Sequence, residues 1–373
     1  MQVFQLSTIE ELASYAEPWD RLAAGMPMRS WTWLSHWWRH YGPAPDSYDE
    51  GARLRVLCVF DHADVLVGVA PWYLDRRGGR GRVLRCLGSG EVCSDYLGIL
   101  CQPAVCEQVV ESLADYLAAA DCPGADADRT WDLLELSGVD SGDTTVAALL
   151  RCLAERGYTV DRRPSVSCWR VHLPATWEAY LATLSKGHRK QLRRLERNWF
   201  DTGRAVLHTV ERLDQLAGVM DLLIDLHQRR RRGLGQPGCF DSPRFAAFHR
   251  QVMPALLREG HLQLHWLELD GQAVAAEYHL AGGGIVYAYQ AGIAPQWLDH
   301  EPGRLITLAL LRRAIEQGYR ALDFLRGDEP YKAHFRAQPR PMLTVRVVGK
   351  RPAARLRHNL WSAGRQVKQW IAR

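Results

Sequence analysis

Four polar residues in the last third of the chain could together carry out proton transfer. Glu277 lies inside an apolar strand pattern, VAAEYHL, Asp323 ends another strand, and Tyr331 and Lys332 follow in the turn DFLRGDEPYK. A carboxyl group buried in a strand has a raised pKa, in the range that suits a general base. A tyrosine hydroxyl can donate a proton, and a lysine ammonium can offset developing negative charge or pair with a phosphate. We take these residues as the candidate catalytic group.

Each of these residues also has a purely structural interpretation. Glu277 could be an outward-facing strand residue, and Asp323 could cap the turn that follows it. Lys332 and Arg326 could form local ion pairs with the adjacent acidic residues, which contribute under about 1 kcal/mol when exposed. The sequence leaves both interpretations open.

A helix that begins at Pro302-Gly303-Arg304, directly after a strand, is a candidate phosphate site. Its first turn presents free backbone N–H groups and the positive end of the helix dipole. Arg326 is a further candidate for holding a phosphorylated cofactor. The charged turn after the next strand lies where α/β sheets usually place their chemistry.

His227 precedes the run Arg229–Arg232 at the end of a predicted helix, and glycines follow it. One interpretation is a mobile loop that gates the substrate, with His227 facing the acceptor. The other is that the basic residues complement the helix dipole and the glycines end the helix.

The elements that must position these residues occur twice along the chain. The hairpin pattern LQLHWLELDGQAVAAEYHL (262–280) mirrors LRVLCVFDHADVLVGVAPWYL (54–74) in length and turn position. IVYAYQAGI mirrors DYLGILC, RLITLALLRRAIEQG mirrors the predicted helix at 105–119, and ALDFLRG mirrors DLLELSG. Such a repeat indicates duplication of one module. We predict an α/β (α+β) protein with two tandem modules, each a mixed central sheet flanked by helices: 1–165, 166–350, and a basic amphipathic helix at 351–373.

Composition limits the class of protein. Of the 373 residues 47% are apolar and 24% are charged, as in ordinary globular proteins. No apolar run reaches the roughly 18 residues of a membrane span, and the N-terminus does not resemble a signal peptide. Nine cysteines without a C-x-x-C pair argue against a disulfide framework or a zinc ribbon. The absence of H-E-x-x-H, Walker and G-x-S-x-G motifs gives no support to a metal site or a serine hydrolase. We expect a cytoplasmic protein.

The net charge of +5 is unevenly distributed, with basic clusters at 186–204, 229–232 and 340–373. Such clusters suggest an anionic partner, although solvated helix faces are the alternative for each. In the tail 353–373 one helical stripe is apolar, the other faces are basic, and no acidic residue occurs; the stripe is Leu356, Leu360, Ala363, Val367 and Trp370. This pattern is typical of an interfacial helix at the inner face of a membrane. Packing onto the protein body or another subunit is the alternative.

The repeated elements and the charged turn resemble those of the bacterial CelD-like (BioF2-like) N-acetyltransferases. These proteins have two tandem GNAT modules and are related to the FemAB peptidyltransferases. The resemblance extends over about residues 10–345. Its most specific motif is the turn from Asp323 to Lys332, and weaker motifs occur in the same order as in the family: Trp19-Asp-Arg-Leu22, Val67-Gly-Val-Ala-Pro71, Ser94-Asp-Tyr-Leu-Gly98, Leu184-Ser-Lys186, Leu226-His-Gln-Arg229, Phe248-His249 and Pro302-Gly303.

The resemblance implies a GNAT-type N-acyltransferase that moves an acyl group to an amine, and it names neither donor nor acceptor. We expect acyl-CoA as the co-substrate, without a metal, and a small-molecule, lipid or glycan amine as acceptor. Envelope polysaccharide or lipid biosynthesis is the more natural setting if the tail contacts a membrane. Glu277 or Asp323 would take the amine proton, and Tyr331 and Lys332 would assist the leaving group or carbonyl. The second module would be the catalytic one, because the corresponding turn of the first, Ser137-Gly-Val-Asp140, has a single charge.

One departure from the family pattern leaves the donor open. The usual glycine-rich pyrophosphate loop is reduced here to His300-Glu-Pro-Gly303-Arg304. Alternatives are therefore a FemAB-like transferase that uses aminoacyl-tRNA, supported by the basic helix, and a non-catalytic scaffold of a polysaccharide or lipid synthesis system. No recognition-helix motif supports DNA binding.

Overall fold

The computed structural model describes residues 1–44, 51–77 and 79–371, and the side chains of the C-terminal helix as far as Trp361. The chain forms two compact units. Unit 1 comprises Met1–Ser165 and Pro341–Arg373, and unit 2 comprises Val166–Arg340.

Unit 1 is built on a mixed sheet in the order β1-β2-β3-β4-β6-β13, with the short β5 paired to β3. Its strands are β1 (Gln2–Leu6), β2 (Ala52–Phe60), β3 (Leu66–Asp75), β4 (Val83–Cys86), β5 (Leu100–Cys101), β6 (Leu133–Asp140) and β13 (Gln338–Val348, from Pro341 on in this unit). Its helices are α1 (Ile9–Ala13), α2 (Ala16–Leu22), α3 (Trp31–Tyr41), α4 (Cys106–Ala120), α5 (Thr144–Glu155) and α12 (Pro352–Ile371).

Unit 2 has a sheet with the same strand plan, in the order β8-β9-β10-β11-β12-β7. Its strands are β7 (Thr159–His172, from Val166 on in this unit), β8 (Ala205–Thr209), β9 (Leu262–Leu269), β10 (Gln272–Gly282), β11 (Ile285–Ile293) and β12 (Ala321–Arg326). Its helices are α6 (Trp177–Thr183), α7 (Lys186–Leu195), α8 (Leu213–Gly233), α9 (Pro243–Arg258), α10 (Pro302–Glu316) and α11 (Tyr331–His334).

Local sequence accounts for several of these boundaries. The β9–β10 hairpin turns at Asp270 and Gly271, which both have positive φ (49° and 78°), as the two-residue hairpin turn requires. Asp143 caps α5 by accepting a hydrogen bond from the backbone N–H of Val146, and Ser242 caps α9 ahead of Pro243. The Asp-Gly hairpin predicted from the sequence is thus present.

The predicted fold class, mixed α/β with two tandem modules, is confirmed, and the repeat extends to the direction of the strands. In each unit one pair is parallel, β4 with β6 in unit 1 and β11 with β12 in unit 2. The neighbouring hairpins, β2–β3 and β9–β10, are antiparallel.

The structure differs from the sequence analysis at two places. Residues 341–350 were assigned to the second module, but β13 pairs antiparallel with β6 from Met342 to Val348 and so lies in unit 1. The segment DYLGILC was expected to be a strand, whereas only Leu100–Cys101 pairs, because the residues before it form an irregular segment in which Cys93 and Tyr96 have positive φ. No helix among the described residues is long and apolar enough to cross a membrane.

Candidate active site

The parallel pair of unit 2 separates towards the carboxyl ends of its strands. In the described structure β11 and β12 pair only over Ile285–Tyr287 and Ala321–Asp323. Beyond this point β11 continues to Ile293 along β10, while Arg326 at the end of β12 pairs with Cys168 of β7. Two adjacent parallel strands that diverge leave a split between them at the sheet edge where α/β proteins bind their ligands.

Glu277 and His279 form a hydrogen-bonded pair on β10, beside this split. The Nε2 atom of His279 lies 2.6 Å from Oε2 of Glu277, and the side chains are 2% and 12% exposed. Glu277 therefore keeps an edge towards solvent while its orientation is set by a buried ring. Opposite Glu277, β9 places His265, whose Nδ1 lies 2.9 Å from the Thr209 hydroxyl. Burial, and then the charges of His279 and Arg313, hold the pKa of His265 well below its usual value.

Tyr331 lies near the same carboxylate. Its ring packs edge-to-face on Phe324 with centroids 5.9 Å apart, and the residue is half-exposed. Desolvation, followed by the negative charges of Glu277 and Glu329, raises the pKa of the Tyr331 hydroxyl. The phenol therefore stays protonated.

Asp323 is fully buried and has structural partners. Its Oδ2 accepts a hydrogen bond from Nε of Arg170 at 2.7 Å, and its Oδ1 accepts one from the backbone N–H of Leu325 at 2.8 Å. The second bond lies within β12, at the irregularity in its pairing with β7 between Asp323 and Arg326, where Leu325 has a positive φ of 54°. Asp323 was expected to end its strand and cap the following turn, but β12 continues to Arg326, so this carboxylate holds a bulge inside the strand.

The sheet separates Asp323 from Glu277. Tyr278, next to Glu277 in β10, packs on a histidine of α9, so strand alternation turns Glu277 to the other face. Asp323 is in register with Tyr287, which is in register with Leu280, and Leu280 shares the face of Tyr278. The two predicted proton acceptors thus lie on opposite faces of the sheet.

Lys332 holds the charged turn together. Its buried Nζ atom donates to the carbonyl oxygens of Leu325, Arg326 and Gly327 at 3.2, 3.1 and 2.9 Å. Oε2 of Glu329 lies 2.9 Å away. The local ion pair expected from the sequence is present, but its lysine is buried, and the ammonium is occupied by backbone acceptors within the turn.

His227 is buried in the packing of α8 against β11. Its Nδ1 lies 2.9 Å from the carbonyl oxygen of Ala291, and its Nε2 lies 3.4 Å from the Cys239 thiol. Desolvation lowers its pKa, so the ring is neutral. Gly292 permits this approach, because a Cβ there would lie 2.6 Å from the backbone nitrogen of His227. The ring joins the helix to the strand.

The first turn of α10 packs against the end of β11, although it does not follow the strand directly as expected, because the 3-10 helix Pro295–His300 lies between them in the chain. Pro302 is its first residue, and a Cβ on Gly303 would lie 2.8 Å from Cδ1 of Ile293, so a glycine lets the helix approach the strand. Glu301 precedes the helix in a left-handed conformation and forms an ion pair with Arg304. The predicted phosphate site is thus the N-terminus of a 15-residue helix, and the Glu301 carboxylate lies beside it.

Helix α7 lies beside this helix end. A small groove is lined by residues of α7, α10 and α11, namely His188, Gln191, Leu192, Arg304, His334 and Phe335. The rings of His188 and His334 lie 5.1 Å apart. Arg326 is exposed at the end of β12. Helix α7, which lies in the basic cluster predicted at 186–204, therefore lies beside Arg304 at the candidate phosphate site.

Sequence reasoning missed two partners of the site, His279 and Arg170. His279 follows Glu277 by two residues, and this spacing places both side chains on one face of a strand, so the pattern could have been found. Arg170 lies 153 residues before Asp323 and is recognisable only once β7 pairs with β12.

A cleft of about 750 Å³ lies in unit 1, lined among others by Trp38, Arg53 and Arg55. It borders Ala44, the last described residue before 51, and none of the predicted site residues lines it. Among the described residues no cluster of His, Cys, Asp and Glu could hold a metal ion.

Comparison with known proteins concerns the family profile and the fold. Residues 186–333 match the family profile described as the acetyltransferase (GNAT) domain, which covers most of unit 2. No curated protein matches the chain.

Solved structures are similar over nearly the whole chain. A crystal structure of FemX is 10% identical, covers 92% of this chain and 97% of its own, and has a TM-score of 0.59. A conserved protein of unknown function from Bacteroides thetaiotaomicron is 13% identical, with coverage of 93% and 100% and a TM-score of 0.56. The C-terminal domain of a putative lysylphosphatidylglycerol synthetase from Agrobacterium fabrum is 13% identical, with coverage of 96% and 97% and a TM-score of 0.52. At these identities the likeness concerns the fold. The profile match and the structural likeness together support a GNAT-like fold for unit 2.

Proposed function

We propose that this protein is an N-acyltransferase that moves an acyl group from acyl-CoA to an amine, as in the CelD-like group. The observation that carries the proposal is the split between β11 and β12, with the Glu277–His279 pair and Tyr331 beside it. The proposed acceptor is an amine of a small molecule, lipid or glycan in envelope polysaccharide or lipid biosynthesis.

In the proposed mechanism Glu277 is the general base. As the neutral acceptor amine attacks the thioester carbonyl, its proton passes to the Glu277 carboxylate, and the new C–N bond forms. His279 is a positioning residue, because its hydrogen bond fixes the direction of that carboxylate. When the C–S bond breaks, the Tyr331 hydroxyl donates its proton to the leaving thiolate, and the proton held by Glu277 returns to the phenolate or to solvent.

The donor would bind where α10 begins. Its helix dipole, Arg304 and the cations of α7 suit the phosphates of CoA, and Gly303 leaves no side chain between helix and strand. CoA supplies the activated thioester. The Arg304 guanidinium already forms an ion pair with Glu301. We therefore propose that the neighbouring imidazoles of His188 and His334 also contact the phosphates of the donor.

The remaining predicted residues support the site indirectly in this proposal. Lys332 holds the turn that carries Tyr331, and Asp323 holds the bulge in β12 ahead of that turn. His227 seats α8 on β11. Each therefore acts on stability and positioning, without contacting the acyl group.

Thioester turnover of Glu277→Gln tests the proposal. Loss of a general base should lower kcat about 10²–10⁴-fold with the fold intact. Glu316→Gln, an exposed change on α10, is the matched control and should leave kcat unchanged. Tyr331→Phe should reduce kcat less, because solvent can protonate a thiolate. Wild-type rates in Glu277→Gln would refute Glu277 as the base, and wild-type protein that binds no acyl-CoA in calorimetry would refute the donor.

The second candidate is a transferase that takes its acyl group from aminoacyl-tRNA. A specific observation favours it: α7 exposes Lys186, Lys190 and Arg194 next to the groove that contains Arg304. Binding of tRNA through several phosphates would weaken steeply with salt. The double variant Lys190→Gln/Arg194→Gln should then lower tRNA affinity and the salt slope. An unchanged slope, or turnover with acyl-CoA alone, would exclude this donor.

A further inference from the structure

The C-terminal helix α12 is fixed to unit 1 by one face. Arg351 lies 2.8 Å from the Asp132 carboxylate, and Ala354 is 3% exposed. Two turns further, Trp361 receives the guanidinium of Arg346 over its ring at 4.1 Å. These contacts determine which side of the helix points inward.

The opposite face is apolar and exposed. Leu356 and Leu360 are 61% and 65% exposed, the highest values among the large apolar side chains of the described residues. At 100° per residue, Leu356 lies about 160° and Leu360 about 120° from Ala354 around the helix. The sequence continues this stripe with Ala363 and Val367. Packing onto unit 1, one alternative considered from the sequence, therefore does not cover these two leucines.

The surroundings of the two leucines are basic. Arg355 and Arg357 flank Leu356 and are exposed, although Arg357 also approaches Asp132 at 3.3 Å. From Pro341 to Arg373 the sequence contains lysines and arginines but no Asp or Glu. An apolar stripe between cationic flanks matches an anionic bilayer surface, in which leucines enter the acyl boundary and arginines meet the headgroups.

We propose that α12 docks this protein on an anionic lipid surface through Leu356 and Leu360. The helix stays on unit 1 through Arg351, Ala354 and Trp361 while its outer face enters the lipid boundary. The inference is independent of the chemistry in unit 2, because it concerns a separate surface and a different measurement.

Vesicle co-sedimentation of the full chain tests the proposal, with phosphatidylglycerol/phosphatidylcholine vesicles compared with phosphatidylcholine alone. Wild-type protein should bind the anionic vesicles and lose binding at high salt. Leu356→Gln/Leu360→Gln should lower the affinity at least about tenfold, because two exposed leucines lose their transfer into lipid. Leu213→Gln/Leu298→Gln, a matched pair of exposed leucines in unit 2, should bind as wild type does.

Three outcomes would overturn the proposal. The first is wild-type protein that does not bind anionic vesicles, or binds neutral ones equally. The second is a Leu356/Leu360 variant that binds as wild type does. The third is a concentration-dependent dimer, measured by light scattering, that the Leu356/Leu360 variant converts to monomer, because the face would then serve a second copy of the chain. Circular dichroism melts should show that both variants retain the fold, since the replaced side chains are exposed.

Discussion

The two units repeat one sheet plan but treat the gap beside their parallel strands differently. In unit 1, β4 ends at Cys86, and the irregular segment 87–99 occupies the position that the continuous β11 has in unit 2. The backbone N–H of Leu97 donates to the carbonyl oxygen of Gly138 on β6 at 3.0 Å, and the Trp33 indole donates to Ser94 at 2.9 Å. In unit 1 the segment 87–99 therefore fills the gap beside the parallel strands. In unit 2 the strands diverge, and no such segment of the described residues lies between them.

A second comparison separates residues that hold the sheet from residues that could react. Glu135 on β6 and Asp323 on β12 occupy the same register position, and each bonds an arginine of the next antiparallel strand, Arg346 or Arg170, at 2.7 Å. The acid–arginine pair is thus part of the repeated architecture. Glu277 is different, since the corresponding stretch of β3, Val69–Trp72, contains no ionisable residue. A feature present in only one unit is the better indicator of function.

Removing the repeated acid tests this comparison with the largest expected effect. Asp323→Asn and Glu135→Gln should each lower the free energy of unfolding by about 3–5 kcal/mol, because each removes a buried carboxylate charge that faces a largely buried arginine. Urea titration measures the change. Turnover per folded molecule should be retained in both variants. A large loss of kcat in Asp323→Asn at unchanged stability would make Asp323 catalytic and break the parallel with Glu135.

The charged turn of unit 2 has no counterpart in unit 1, and Lys332 should account for its order. Lys332→Met should cost about 2–3 kcal/mol, because three backbone carbonyls lose one shared donor. Lys186→Met, an exposed change on α7, should stay within about 0.5 kcal/mol. Chemical denaturation of both variants measures the difference. Equal stabilities would show that the turn does not depend on Lys332.

The smallest expected effect concerns the imidazole opposite Glu277. Burial lowers the pKa of His265, so the folded protein keeps it neutral while an unfolded histidine, with a pKa of about 6.5, takes up a proton. Stability should therefore fall as pH drops below about 6.5, by up to about 1.4 kcal/mol per pH unit for this group. His265→Gln should reduce this dependence, and His62→Gln, in an exposed turn of unit 1, should not. Identical pH profiles for wild type and His265→Gln would contradict the assignment.

Much of the fold could be predicted from the sequence, because local patterns determine it. The Asp270-Gly271 turn defined the second hairpin, and the repeat of strand and helix patterns gave the two modules. For Glu277, inside an apolar strand, the sequence left a buried base and an outward-facing residue open, and the side chain is 12% exposed. Lys332 and its neighbours were recognised as one charged turn.

The rest depends on pairing between distant segments. Asp323 and Glu277 were treated as interchangeable bases, since a sequence does not show that a register places them on opposite faces. The Lys332 ammonium was predicted to contact the substrate, because a sequence does not show the backbone carbonyls that accept its hydrogen bonds in the folded turn. The irregular segment in unit 1 has strand-like composition, and its contacts with Trp33 and Gly138 decide its conformation.

The placement of β13 has a consequence for the order of synthesis. Glu135 and Arg346, which face each other across β6 and β13, are 211 residues apart in the chain. All of unit 2 must leave the ribosome before the last strand of unit 1 is available. Unit 1 therefore begins before unit 2 in the chain but completes its sheet after it, whereas unit 2 is contiguous from Val166 to Arg340. Contacts so distant in sequence slow folding, so refolding of unit 1 is expected to lag behind that of unit 2.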